Sequence, residues 1–334
     1  MRRVGTIRSG PRAVSIAGPS GPPAARNARA ALRAGGSVAA LAIAVGASGS
    51  LHAADFLGVH ADFLGFRAEA SYTTDDNVTR APSGDALRDR ILGVRASASA
   101  AIPVSTRTRA VVQGFAGTQR FGTYTGLSNT FIGAQGDFAF RSSSEFGAAT
   151  YGAFVRTAKE AYESDLRDGY RHAFGVTVIK PATDRIQFFG ALARNISDGR
   201  SAVFDARNVS VRGSVDWSLG RWDTLFLGLE RRSGDSVSTV SRNDPIRTLG
   251  FVNTATPNII QDDAFTDTAR DAYRLKASTL LATLGYNRAF GEGQALDISW
   301  RRAQSSVQNA VAPLSGSDLR YTVNQISVAY LGRF

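Results

Sequence analysis

Between residues 65 and 334 the sequence alternates apolar and polar side chains with a period of two, in runs longer than an ordinary soluble sheet uses. Over 208–218, Val209, Val211, Val215 and Trp217 share one face, and Ser210, Arg212, Ser214 and Asp216 share the other. Over 295–302, Leu296, Ile298 and Trp300 oppose Asp297, Ser299 and Arg301. Over 171–179, Phe174, Val176 and Val178 oppose Arg171, Gly175 and Thr177, and over 66–73, Phe66, Ala68 and Tyr72 oppose Arg67, Glu69, Ser71 and Thr73. Successive side chains of a strand point to opposite faces, so this pattern predicts strands with one apolar face.

The same reading places strands at 65–74, 90–102, 107–118, 128–141, 145–157, 169–180, 185–196, 206–218, 221–232, 273–289, 294–304 and 318–334. The run 145–157 is weakly patterned, and 185–196 is ambiguous because Phe188 and Phe189 are adjacent. Short connections at 103–106, 142–144, 181–184, 219–220 and 291–293 are rich in turn residues. Long ones fall near 75–89, 119–127, 158–168, 197–205, 233–272 and 305–317. Long and short alternate strictly, which predicts an even number of strands, about twelve, with both termini at the short-turn end.

Length then separates two architectures. Soluble strands average ~5–6 residues, whereas strands that span a bilayer need ~9–11. The runs here are 10 to 17 residues long. Lipid offers no hydrogen-bond partners, so a spanning sheet must close, and closure removes the edges through which long amphipathic strands aggregate. The expected fold is therefore all-β: a transmembrane antiparallel up-and-down β-barrel over 65–334. Tyr72, Tyr151, Tyr170, Trp217, Trp222, Tyr286, Trp300 and Tyr330 lie near strand ends, where interface girdles form.

The formal charge of +11 does not belong to that barrel. Residues 1–54 hold seven arginines and no acid, and without them 32 basic residues face 28 acidic ones. Nucleic-acid binding, which needs a basic face on the folded domain, loses its support. The basic stretch is followed by an apolar core at 38–47 and by small residues up to Ala53 and Ala54, the plan of a secretory signal peptide. The expected division is a leader at 1–54, a short segment at 55–64 and the barrel from 65. The chain contains no cysteine, which excludes disulfides, thiolate metal sites and cysteine nucleophiles.

At the C-terminus, Ile326, Val328, Tyr330, Gly332 and Phe334 share one face of the last strand. This stretch resembles the closing strand of Gram-negative outer-membrane β-barrels, whose terminal Phe is part of the signal read by the barrel insertion machinery; the pattern departs from it at Gly332. The segment Thr74-Asp75-Asp76-Asn77-Val78-Thr79-Arg80-Ala81 resembles the exit from the first strand in the "beta-barrel porin 2" group. Similar segments open the barrel of surface lipoprotein assembly modifiers. The resemblance implies an outer-membrane location, and makes carbohydrate a candidate cargo because some such porins accompany polysaccharide export. Read by itself the segment is a turn, since Asp and Asn bond their own backbone; a loop cation site is the other reading.

Charged residues opposite the apolar face are the candidate site. Arg67, Glu69, Arg95, Asp137, Arg171, Arg212, Asp216, Glu230, Asp297 and Arg301 are predicted to line a pore, where rings of fixed charge set selectivity. The alternative is that they pair across the lumen and plug it. Twelve strands enclose less than the 16–18 of open porins, so the pore is small or partly filled by the loop 233–272, for which disorder is the leading expectation. That loop carries Asp262, Asp263, Asp267 and Asp271, and Asn243-Asp244-Pro245 at its start, at a spacing matching no defined calcium loop. No cofactor or metal is expected. Catalysis would need a base near a nucleophile; beyond the leader the histidines are His60 and His172, and neither stands in such an arrangement. The expected partners are outer-membrane lipid, the insertion machinery acting on the strand ending at Phe334, and small hydrophilic solutes. The expected function is a porin-like channel; the alternative is a plugged barrel serving as a scaffold or in polysaccharide or protein export.

Overall fold

Long alternating runs with turn residues between them fold as neighbouring antiparallel strands, and here they close into a ring. The computed structural model describes residues 64–242, 259–265, 269–291, 293–308 and 319–334. The staves are β1 (Leu64–Asp75), β2 (Asp89–Ser105), β3 (Thr108–Phe121), β4 (Asn129–Arg141), β5 (Thr150–Tyr162), β6 (Gly169–Pro181), β7 (Ile186–Gly199), β8 (Ala206–Ser218), β9 (Asp223–Ser241), β11 (Arg270–Ala289), β12 (Gln294–Val307) and β13 (Tyr321–Arg333). A three-residue strand, β10 (Ile259–Gln261), continues the β11 edge opposite residues 271–273. Each stave pairs with the next, β9 passes directly to β11, and β13 pairs with β1 from Arg67↔Arg333 to Asp75↔Gln325. The ring is therefore a closed twelve-stave barrel. No helix among the described residues is long and apolar enough to cross a membrane.

Register decides which way each side chain points. Directly opposed residues share a face, and Glu69↔Arg95, Arg212↔Glu230 and Thr283↔Arg301 put the charges on the inner wall. On the outer wall Leu92, Val94, Ile132, Val155, Val176, Leu192, Val211, Leu229, Ile298 and Val328 are exposed. This is the inverse of a soluble sandwich, whose apolar faces meet each other. Both termini of the barrel sit at the short-turn end, where Phe334 and Phe66 exchange backbone hydrogen bonds of 2.9 and 3.3 Å.

Three expectations are corrected. β9 continues to Ser241 and β11 begins at Arg270, so the long connection is 242–269 rather than 233–272. These strands extend past their sequence signal because their upper residues pack beneath loops, and burial on both faces erases the alternation. The turn after β4 runs over 142–149, with Gly147 at φ +77°, and β5 starts only at Thr150. Disorder over the longest loop fails for 233–242, 259–265 and 269–272, which are ordered. The predicted leader, His60, Asn243, Asp244, Pro245 and Asp267 lie outside the described residues.

Candidate functional site: the lumen and its cap

Three of the largest fully buried side chains, Phe204, Phe265 and Leu127, lie not in the barrel wall but in the loops at its long-loop end. Among the described residues five of these connections contain a short 3-10 turn, at Ser83–Asp85, Thr125–Leu127, Asp165–Arg167, Ala202–Phe204 and Asp263–Phe265. In three, the polar residue after the turn accepts a hydrogen bond from the backbone N–H at the top of the preceding strand. Ser128 takes Phe121 N at 3.0 Å, Asp205 takes Gly199 N at 2.8 Å, and Asp168 takes Tyr162 N. The polar group clamps the loop to its own strand, which turns the intervening residue inward. A Ser or Asp directly after a buried residue recurs at 127–128, 167–168 and 204–205; this recurrence is the signal that a strand-by-strand reading passes over.

The inward residues form packed clusters. Val78, Ile91, Phe121, Leu127, Tyr162, Ala264 and Phe265 make one; Val203, Phe204, Val237 and Ala272 make a second; Ala81, Val240 and Tyr273 make a third. Burying a side chain of the Leu or Phe class stabilises by about 1.5–3 kcal/mol. Together they form a dry core at the mouth of a barrel with apolar residues outside and charges inside; Leu281, Ala303, Tyr321 and Val323 form a further buried cluster on the inner wall.

The cap spans the mouth. β4 and β11 are six staves apart in a ring of twelve, hence diametrically opposed. The 259–265 segment leaves the β11 side and reaches the connection before β4, where a Cβ on Gly126 would lie 2.6 Å from Ala264 Cα. Phe265 meets Tyr124 with ring centroids 5.2 Å apart. Two buried ion pairs lock it. Arg167 pairs with Asp262, which also accepts Thr239 Oγ1 at 2.7 Å, and the Arg167 guanidinium lies 4.3 Å from the Phe204 ring centroid. Arg80 donates to both oxygens of Asp75, at 2.7 and 2.6 Å.

The second lock is built by the segment 74–81. Asn77 N donates to Asp75 Oδ1 at 2.8 Å, the Asx turn expected from sequence. Arg80 is the non-glycine residue with positive φ (+53°) among those described. That conformation costs roughly 1–2 kcal/mol, and here it folds the side chain back onto Asp75. Burial works against the Arg80 charge, and the adjacent Asp75 carboxylate more than offsets it, holding the guanidinium above its ordinary pKa. Thr79 O accepts Thr239 N at 2.9 Å, and Asp85 accepts Ser241 N at 2.6 Å, so this loop is tied across to β9.

Beneath the cap is a cavity of about 320 Å³. All ten predicted residues lie at inward positions of their strands by register. Asp137, Arg171, Arg212, Glu230 and Arg301 line the cavity; Arg67, Glu69, Arg95, Asp216 and Asp297 do not. Arg80, Arg156, Glu160, Arg232 and Asp235 line it too, and sequence reasoning did not place them at the lumen. Arg156 sat in the weakly patterned run, where inward Phe154 imitates the outer face. Arg232 stood where the strand was expected to end. Several wall charges are paired: Arg171 with Glu160 at 2.9 Å, and Arg232 with Glu230. Glycines make room for rings lying flat on the inner wall, as where a Cβ on Gly285 would sit 2.0 Å from the Phe226 ring.

His172 points outward, bonded to Thr157 at 3.0 Å and stacked on Tyr170 at a 6.3 Å centroid separation. No cluster of acidic or histidine side chains suited to a metal occurs among the described residues.

No protein-family model matches the sequence, and comparison with curated proteins finds no match. Solved structures give weak similarities. An outer-membrane channel from Pseudomonas putida F1 is 12% identical, with 83% of this chain and 99% of that one covered and a TM-score of 0.49. The KdgM porin in complex with disordered oligogalacturonate is 7% identical, covering 80% and 99%, with a TM-score of 0.41. The translocator domain of the autotransporter NalP from Neisseria meningitidis is 12% identical, covering 84% and 92%, with a TM-score of 0.40. At these values no residue role is carried over, and the resemblance to the "beta-barrel porin 2" group rests on residues 74–81 and the general barrel character of 65–334.

Proposed function

We propose that this protein is a channel of the Gram-negative outer membrane, passing small hydrophilic solutes through a charged lumen that the loop cap restricts. The observation that carries the reading is the inversion of the wall. A closed barrel whose exposed face is Leu, Ile and Val, and whose inner face is Arg, Asp and Glu around a cavity, has the polarity that lipid outside and solute inside require. Tyr151, Trp217, Tyr330 and Phe334 are exposed towards the short-turn end, and Tyr72, Tyr170 and Trp300 towards the other, as two interface girdles would be. Insertion through the strand ending at Phe334, a cleaved leader, and solute contacts by the ten inward charges belong to the same proposal.

Val211 tests the bilayer. It is 58% exposed at the middle of β8, beside inward Arg212. Val211→Arg is expected to lower folding stability in phospholipid by about 2–4 kcal/mol, measured by denaturant titration in vesicles. An effect below the error of the titration would remove lipid from that face.

Conductance tests the pore. Single-channel recording in planar bilayers should show small unitary steps for the native protein and larger ones for Gly126→Leu. A side chain at Gly126 collides with the Ala264 backbone, so the cap lifts while every stave is left untouched. If both proteins are silent, the lumen is not a conduit. The packed cap favours the second reading, a closed barrel acting as a scaffold or export component, and silence of both would support it.

A further inference from the structure

We infer that the outer wall near the long-loop end holds a site for a membrane lipid whose headgroup carries two phosphates, contacted by Arg194, Arg207, Arg231, Lys276 and Arg302. The inference rests on the bilayer reading of the outer wall and does not need the lumen to conduct.

Placement is the first argument. The five cations are exposed and stand on adjoining staves, β7, β8, β9, β11 and β12. Arg194 opposes Phe174, Arg207 opposes Ile196 and Arg231 opposes Leu280, so these side chains share the apolar outer face. Lys276 alternates in step with Leu280, and Arg302 with Trp300. Towards the long-loop end the outer wall turns from apolar to basic at the next outward position: Leu192 to Arg194, Val209 to Arg207, Leu229 to Arg231 and Trp300 to Arg302. On β11 the change passes from Leu280 through Ser278 to Lys276. The cations therefore mark the rim of the apolar band. There a long side chain keeps its stem on lipid tails and its charge among headgroups. Arg231 does this: its Nε donates to Ser278 Oγ at 3.3 Å, one outward position nearer the long-loop end than the opposed Leu280.

The second argument is unspent charge. Among the described residues the side chains of Arg194, Arg207 and Arg302 make no ion pair or hydrogen bond. Lys276 pairs with Asp235 at 2.7 Å. Asp198, four residues beyond Arg194 on β7, pairs with none of the five. Elsewhere the outer wall does pair its arginines. Arg120 of β3, across the ring from β9, is held by Glu163 at 2.9 Å, and Arg288 at the short-turn end by Asp223 at 3.1 Å. An acid-poor basic surface calls for an anion, and a guanidinium fork matches two phosphate oxygens at once.

The third argument is width. Neighbouring strands lie ~4.8 Å apart, so five staves span roughly 19 Å. One phosphate cannot meet all five side chains, whereas a headgroup with two can. Its acyl chains then lie along the exposed Leu192, Leu229, Leu280 and Trp300 below.

Native mass spectrometry of the full barrel in detergent, titrated with lipid A, tests this without requiring flux. Lipid A is the probe because its headgroup carries two phosphates. The native protein is expected to retain lipid A and to release phosphatidylcholine. A basic residue beside an anionic lipid surface is worth about fivefold in affinity, so Arg194→Ser/Arg207→Ser/Arg302→Ser should weaken lipid A by about a hundredfold. Replacing the same three arginines by Lys should regain most of that loss, since the charges stay and only the forks go. Arg120→Ser should bind as the native protein does. Circular dichroism in phosphatidylcholine vesicles confirms folding; if the triple Ser variant does not fold, Arg207→Ser and Arg302→Ser carry the test, each with about a fivefold loss. Equal lipid A affinity in native and folded Ser variants, phosphatidylcholine held as tightly as lipid A, or displacement of lipid A by an equal concentration of inorganic phosphate would each overturn the inference. A barrel that folds in phosphatidylcholine vesicles without preferring lipid A keeps the membrane reading and loses this site. Lipid A retained with silent planar bilayers keeps the site and removes the channel.

Discussion

Asp75→Ala is expected to lower the stability of the barrel by about 3–5 kcal/mol, the usual cost of stranding one partner of a buried ion pair. The Arg80 side chain is 6% exposed and that of Asp75 not at all, so solvent does not replace what is lost. Asp75 also accepts Gln325 Nε2 at 2.6 Å. Gln325 is on β13 and Asp75 on β1, so this carboxylate sits on the seam where the ring closes as well as at the root of the cap. Denaturant unfolding in vesicles should therefore register the loss globally. The double variant Asp75→Leu/Arg80→Met is the control. Removing both charges in favour of apolar groups is often neutral or better, so it should regain most of the stability. If Asp75→Ala unfolds with the native midpoint, the segment 74–81 is ornament and the lock assigned to it is wrong.

The second large effect is expected at Asp262, and it should be local. Asp262→Ala leaves the Arg167 guanidinium, 3% exposed, over Phe204 without its carboxylate, again at a cost of about 3–5 kcal/mol. Its partners Arg167 and Thr239 lie at the cap rather than on the closure seam. The cost therefore falls on docking of the 259–265 segment across the mouth. Such segments open independently when their own contacts are few. Expected are a nearly unchanged unfolding midpoint, faster amide exchange at Ala264 and Phe265, and more frequent or larger conductance steps than the native channel shows. A global loss of stability with native conductance would mean that the cap is structural and does not gate.

These two residues also show how far the sequence could be read. Asp75 and Asp76 were legible as a turn because an Asx turn is a local event, made within two residues. The pairing of Asp75 with Gln325 was not, since it needs β13 brought beside β1, and the pairing with Arg80 needs the backbone reversal at Arg80. Asp262 was noticed only as one acid in a long acidic loop. Its burial depends on Arg167, 95 positions away, and nothing near Asp262 marks it as different from Asp263 or Asp271. Arg156 was hidden for another reason: an inward phenylalanine two residues earlier copies the outer face, and alternation cannot tell a lumen aromatic from a lipid-facing one.

By itself, the sequence determined the wall. Period-two alternation is a property of neighbouring residues, and it assigned Val211 and Arg212 to opposite faces. The alternation of long and short connections set the even number of staves, and closure followed because unpaired edges do not survive in lipid. The cap, the cavity beneath it and the pairing of Arg171 with Glu160 and of Arg167 with Asp262 were decided by the tertiary structure alone. They arise from contacts across the diameter, such as Gly126 with Ala264, which exist only once twelve staves have closed and fixed which loops face each other.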